Sequence, residues 1–290
     1  MGLLLFGAVC ISFSAVFVKL AAVAPAVSAF YRLLIGGLTL LGLLAATRNL
    51  DAVKKALSWP AIGCAVFFVG DLLCWHASIN YVGPGLATLI GNFQVFLVTA
   101  VSAVACRRLP RPAFLAAMGL ALFGLYLVIG RGFSAQTPEF RLGVGYGLVT
   151  SVFYALFILT LKKAVTNNGR AGPMAAMAVL SLLASVLLVP ITGLAEGMGA
   201  FVLPTTQAVL ALVGLGVIGQ GVGWLAISTG LAGVRPALAG LVLLLQPTLS
   251  YLWDVLFFAK PTGPVELAGV ALALGGIYLG SIVGGTEDTC

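Results

Sequence analysis

Asp71 is the one carboxylate in an apolar run from Trp59 to Tyr81, and it stands about 12 residues into that run. Trp75 and Ser78 follow it by four and seven positions, so on a helix the three share a face. His76, the only histidine of the chain, and Asn80 form a second polar strip beside the first. Such groups can bind a small polar molecule, or they can bond one another and fasten helices together. Doing neither is costly, since a mid-span acid loses roughly 2.5–3.5 kcal/mol on insertion scales. For Asp71 and His76 both uses stand open. An imidazole facing a cavity would also make binding pH-sensitive, because it titrates near neutrality.

Gln94 and Gln246 extend the set, and they lie 152 positions apart. A skeleton repeats around them at that offset. Leu86-Ala87-Thr88-Leu89 returns as Leu238-Ala239-Gly240-Leu241, Pro112 as Pro264, and Gly124-Leu125-Tyr126-Leu127 as Gly276-Ile277-Tyr278-Leu279. Leu and Ala recur by chance in apolar sequence, but Gln, Pro, Gly and Tyr held at one offset mark an internal duplication. Setting Trp75 on Trp224 places Asp71 on Gln220, and matching Phe13 and Phe17 to Phe153 and Phe157 places Ser14 on Tyr154. Repeat-equivalent residues gather around a shared axis, so two tryptophans and two glutamines are expected together near the midplane. Amides can bind the ammonium and carboxylate of a zwitterion, and indoles can wall an aromatic ring. The competing use of the glutamines is as glue between two helices. Pro247 directly follows Gln246 and is expected to open the helix backbone there.

The elements that must hold these residues follow from composition. The chain is 61% hydrophobic and 8% charged, against roughly 25% charged in an average soluble domain. With a mean hydropathy of +1.16 it cannot coat a water-soluble globule, and the fold class is an all-α polytopic membrane protein. A spanning helix needs about 20 apolar residues. About ten such runs fit, near 2–23, 27–46, 59–81, 84–104, 112–130, 142–165, 172–194, 206–231, 236–258 and 263–284. Pro25, Pro60, Pro84, Pro112, Pro173, Pro236 and Pro264 stand at or near their starts, where a missing N–H costs least. The first run follows no positive segment and is long for a signal peptide, so it reads as an uncleaved membrane helix.

The net charge of +7 is spread over short loops, which points to topology and away from nucleic acid. With the N-terminus inside, Arg48, Lys54, Lys55, Arg107, Arg108, Arg111, Lys162, Lys163, Arg170 and Arg235 fall in cytoplasmic loops. Arg131, Arg141 and Lys260 fall outside, so both termini are placed in the cytoplasm. Residues 1–132 form one five-helix repeat, 141–285 a second, and 286–290 a polar tail. An odd number of spans per repeat inserts the two in opposite senses, with the axis in the membrane plane. The five cysteines, Cys10, Cys64, Cys74, Cys106 and Cys290, show neither disulfide nor metal spacing.

Phe17-Val18-Lys19, Phe30-Tyr31-Arg32, Trp75-His76-Ala77, Ala87-Thr88-Leu89-Ile90 and the stretch from Gly269 to Tyr278 together resemble the EamA-type, ten-helix branch of the drug/metabolite transporter superfamily. The resemblance covers essentially the whole chain. Within the superfamily it is most similar to the bacterial exporters of aromatic amino acids, the YddG group. It implies a multi-pass protein of the bacterial inner membrane that exports neutral, chiefly aromatic, amino acids by alternating access, as a monomer in the bilayer without cofactor or metal. The expected substrate site comprises Trp75, His76, Asn80, Gln94, Tyr154, Trp224 and Gln246, with Asp71 and Lys19 as candidates for coupling or gating. Lys19 and Arg32 flank the first turn, and snorkelling to the interface is the simpler account of both. Glycine pairs such as Gly143 with Gly147 and Gly219 with Gly223 suit close helix packing.

Other classes fit less well. Membrane enzymes that work on phosphates need clustered acids or paired His and Arg, and the eight acids here are scattered. The phosphate loop GxxxxGK[ST] is absent, as are the charged rings of a channel. Proton-coupled multidrug export is the alternative within the superfamily. Small four-helix relatives use a first-helix glutamate for it, and the first run here has no carboxylate. Facilitated export and proton coupling through Asp71 or His76 both stay open.

Overall fold

Prolines open most of the helices. In the computed structural model α1 spans Gly2–Ala21, α2 Pro25–Ala46, α3 Trp59–Val82, α4 Pro84–Ala105 and α5 Pro112–Ile129. The second half continues with α6 Pro138–Leu161, α7 Gly172–Glu196 and α8 Thr206–Ile227. It closes with α9, described over Leu245–Phe258, and α10 Pro264–Val283. Residues 1–105, 107, 111–130, 133, 136–167, 172–231 and 242–284 are described. Cys106, Arg108, Arg131, Arg170, Arg235, the Leu238-Ala239-Gly240-Leu241 copy of the repeat, and the tail with Cys290 lie outside them, as do the side chains of Lys162 and Lys163. Among the described residues nine helices are long and apolar enough to cross a bilayer, and no strand occurs. The chain is an all-α polytopic membrane protein.

Local chemistry sets the boundaries. Proline occupies the first turn of α2, α3, α4 and α5, where its missing N–H is not needed. α6 starts at Pro138 rather than near 142, because the Thr137 hydroxyl accepts the Phe140 N–H at 3.2 Å and caps the first turn. The connection after α2 carries a short helix, Asp51–Ala56, which buries Ala52 and Ala56 and packs on α7.

The packing repeats itself from one half to the other. α3 lies on α6, and their counterparts α8 and α1 lie on each other. α3 also meets α7 as α8 meets α2, and α4 meets α6 as α9 meets α1. Three further contacts, α2 with α7, α4 with α9 and α5 with α10, join each helix to its own repeat partner. That is the pattern of a two-fold relation between two five-helix units.

Small residues let these helices approach. On the α5–α10 seam a Cβ on Gly124 would run into the Ala273 amide, and one on its repeat partner Gly276 would lie 2.5 Å from the Ala121 amide. Gly143 and Gly147 of α6 press on Tyr81, Val82 and Ile90, while Gly219 and Gly223 of α8 press on Ser14 and Ile11. Without a solvent-driven force inside lipid, such close packing is what holds a bundle together.

Among the described residues three helices are interrupted by a turn. α1 breaks at Phe13, where α9 fills the gap. Trp253 stacks on Phe13 at 4.7 Å, its Nε1–H donates to Ser12 Oγ at 2.9 Å, and the Ser250 hydroxyl donates to the Ser12 carbonyl. α4 breaks at Asn92 and Phe93, and a turn at Leu244 precedes the described part of α9. These two breaks are repeat-equivalent at the 152 offset. The second falls where the missing N–H of Pro247 loosens the ladder.

Candidate functional site

One cavity is lined by seven helices from both halves. α3 gives Phe68, Asp71, Leu72 and Trp75, a single helical face, and α4 gives Thr88, Gly91 and Asn92 at its break. α1, α2, α8 and α9 add Ile11, Arg32, Trp224 and Gln246, and α6 adds Thr150 and Tyr154. The cavity measures about 50 Å³. A single water needs roughly 10–15 Å³ on the same measure, and small-molecule pockets run to roughly 300–1,000 Å³. In this state it has room for a few waters, so a substrate enters only when helices separate.

Arg32 is the largest departure from the sequence reading. It is 4% exposed and does not snorkel. Its Nε–H donates to Gln220 Oε1 at 3.0 Å, and Gln220 Nε2 donates in turn to Ser181 Oγ at 3.1 Å. The guanidinium lies 5.3 Å over the Trp75 ring, a cation–π distance. Nη1 is buried without a partner. The two helix pairs supplying this network are themselves repeat-equivalent. Ser181 lies 149 positions after Arg32, the same offset that relates Asp71 to Gln220 and Trp75 to Trp224. Helical rise gave the signal for Arg32, which stands seven residues after Pro25 and so about 10 Å inside the helix end.

The other expected site residues separate into two groups. Asp71, Trp75, Tyr154, Trp224 and Gln246 line the cavity together. His76, Asn80, Gln94 and Lys19 do not. His76 is 0% exposed, with Nδ1 2.7 Å from Ser28 Oγ. Since that hydroxyl donates to the Pro25 carbonyl, Nδ1 carries the proton and donates to Ser28, an assignment drawn from the network. Asn80 is exposed at the end of α3, where its carbonyl accepts Lys19 Nζ at 3.3 Å. Gln94 follows the α4 break, and Asn92 takes the lining position instead. Ser78 turns to α6 and donates to the Gly143 carbonyl at 2.8 Å. Besides Arg32 Nη1, two polar atoms of lining residues are buried without partners, Thr150 Oγ1 and Trp224 Nε1.

One end of the cavity is tied shut. Asp254 of α9 accepts the Gly85 N–H of α4 at 3.1 Å. Gly83, at φ +88°, passes so close that a Cβ there would lie 2.6 Å from the Asp254 carboxylate. Lys260 pairs with Asp254 at 3.9 Å and with Glu266 at 3.5 Å and sits 4.6 Å over Tyr251. The Tyr251 hydroxyl donates to Glu266 at 2.7 Å. Beside this cluster Gln207 donates to the Leu20 carbonyl and Tyr31 to the Phe201 carbonyl, so with the Gly85–Asp254 bond three hydrogen bonds join the halves at this end.

Two repeated helical units enclosing one charged, aromatic-walled cavity is the build of a membrane transporter. The family comparison agrees, since the model of the EamA-like transporter family matches residues 1–130 and again 141–282. The chain belongs to this family, and so is a membrane transporter of the drug/metabolite transporter superfamily. A crystal structure of a protein matches it with a TM-score of 0.69 at 20% identity, covering 99% of each chain, a likeness of fold. Among curated proteins none matches.

Proposed function

We propose that this transporter exports neutral, chiefly aromatic, amino acids and related small metabolites by alternating access, in the manner of the YddG-type exporters. One observation carries the reading. Trp75 and Trp224, repeat-equivalent in the two halves, line the same cavity as Gln246, Tyr154, Arg32 and Asp71. Indoles supply apolar walls for a ring, and the polar groups suit a charged backbone. With both termini in the cytoplasm of a bacterial inner membrane, the tied end is the external one. Substrate then enters from inside and leaves when that end opens. A monomer holds the whole site, and the reading calls for no cofactor.

The test is uptake of phenylalanine, tryptophan, methionine and threonine into proteoliposomes. The expected result is flux that is greatest for the two aromatic substrates. No flux for any of the four overturns the amino-acid assignment. Asp71 in the cavity lining favours a second reading, proton-coupled export of drugs or other metabolites. An imposed pH gradient tests the coupling, because coupled export is driven by the gradient and facilitated export is not, and the substrate panel tests the amino-acid assignment.

A further inference from the structure

A buried guanidinium in a membrane protein usually pairs with a carboxylate or with backbone carbonyls. Arg32 does not, although Asp71 lines the same cavity. Its hydrogen bond goes to the neutral amide of Gln220, which Ser181 holds in place. One side of the guanidinium is thus fixed from the second half of the molecule, while Nη1 is left buried and unpartnered. Asp71 is 7% exposed, and no hydrogen bond joins its carboxylate to another described residue. The cavity therefore contains a guanidinium and a carboxyl group that are not bonded to each other, beside Trp75 and Trp224.

We propose that Arg32 and Asp71 are a divided ion pair that grips the carboxylate and the ammonium of a free α-amino acid, with Gln220 as the positioning residue for Arg32. The inference rests on the amino-acid reading above and narrows it to zwitterions. Guanidinium N–H groups match a carboxylate in geometry and charge, and a carboxylate accepts from an ammonium. A substrate carrying only one charge leaves the other buried side chain unpaired, and sites built around hydrogen bonds reject such analogues strongly. An organic anion would meet the Asp71 charge, and an organic cation the Arg32 charge. The zwitterion satisfies both.

The experiment compares phenylalanine with 3-phenylpropionate, which lacks the ammonium, and phenethylamine, which lacks the carboxylate. Each is measured as flux in proteoliposomes containing the wild type, Arg32→Gln, Asp71→Asn or Gln220→Ala. Wild type is expected to favour phenylalanine over either analogue by roughly ten- to a hundredfold, the value of one hydrogen bond to a charged group. Arg32→Gln should lose phenylalanine flux while gaining phenethylamine relative to it, and Asp71→Asn should shift the same way toward 3-phenylpropionate. Gln220→Ala should raise the half-saturating phenylalanine concentration. An equal loss for all three compounds in both charge variants would mean that the pair only fastens helices, and would overturn the proposal. Wild-type flux of either analogue equal to that of phenylalanine also overturns it, and that result needs no variant to fold. In both cases the amino-acid reading survives. If wild type moves no amino acid, both fall.

Discussion

Gln246 carries the most direct residue-scale prediction, because it lines the cavity next to the helix-loosening Pro247. Gln246→Ala is expected to raise the half-saturating phenylalanine concentration by roughly ten- to a hundredfold, the loss of one hydrogen bond to a charged ligand group. An unchanged value would remove Gln246 from the site. Its repeat partner Gln94 reads the same in sequence but stands outside the lining, although each glutamine follows a turn in its helix, at Asn92 and Phe93 or at Leu244. A turn of that kind leaves little trace in a run of apolar residues, so the equivalence of the two glutamines was legible and their different exposure to the cavity was not. His76 and Arg32 differ for a related reason. Periodicity tells which residues share a face, but not whether that face meets lipid, a neighbouring helix or a cavity. Ser28, four residues before Arg32 on α2, claims the histidine, and Gln220 claims the arginine. Both partners are distant in sequence.

At the scale of elements, the glycine seam and the ionic cluster make separate predictions. Gly276 of α10 leaves no space for a side chain against the α5 backbone. Gly276→Val should therefore destabilise the protein by about 1–3 kcal/mol, the usual cost of overpacking, read as a lowered Tm in detergent. An unchanged Tm would show that the seam has slack. At the tied end Asp254 is 3% exposed and depends on Lys260 for its counter-charge. Lys260→Met should cost about 3 kcal/mol by stranding that carboxylate, the low end for a buried pair because the Lys260 side chain keeps 17% exposure. Adding Asp254→Asn should recover much of the loss. If the double variant is as unstable as the sum of the singles, the two charges are not coupled. The prolines made most helix starts readable. The earlier start of α6 was missed because its signal was the Thr137 cap rather than its Pro138.

The whole molecule was the most legible part. A single offset joining Gln94, Pro112 and Gly124 to Gln246, Pro264 and Gly276 foretold two related halves, and the paired helix contacts follow that relation. What no offset could supply is the asymmetry between the ends. Asp254, Tyr251 and Glu266 close one end with charge and hydroxyl, while their counterparts at the 152 offset are Ser102, Thr99 and Phe114. The carboxylates of the tied end thus have no carboxylate counterparts in the first half. Alternating access around the shared cavity requires the tied end to part in every cycle. Leu20 and Gln207 meet there across the two halves, so cysteines at both positions can be bridged by a short cleavable crosslinker after the five native cysteines are replaced. Phenylalanine flux in proteoliposomes is expected to fall to background on crosslinking and to return on cleavage. Undiminished flux through the crosslinked protein would contradict the account.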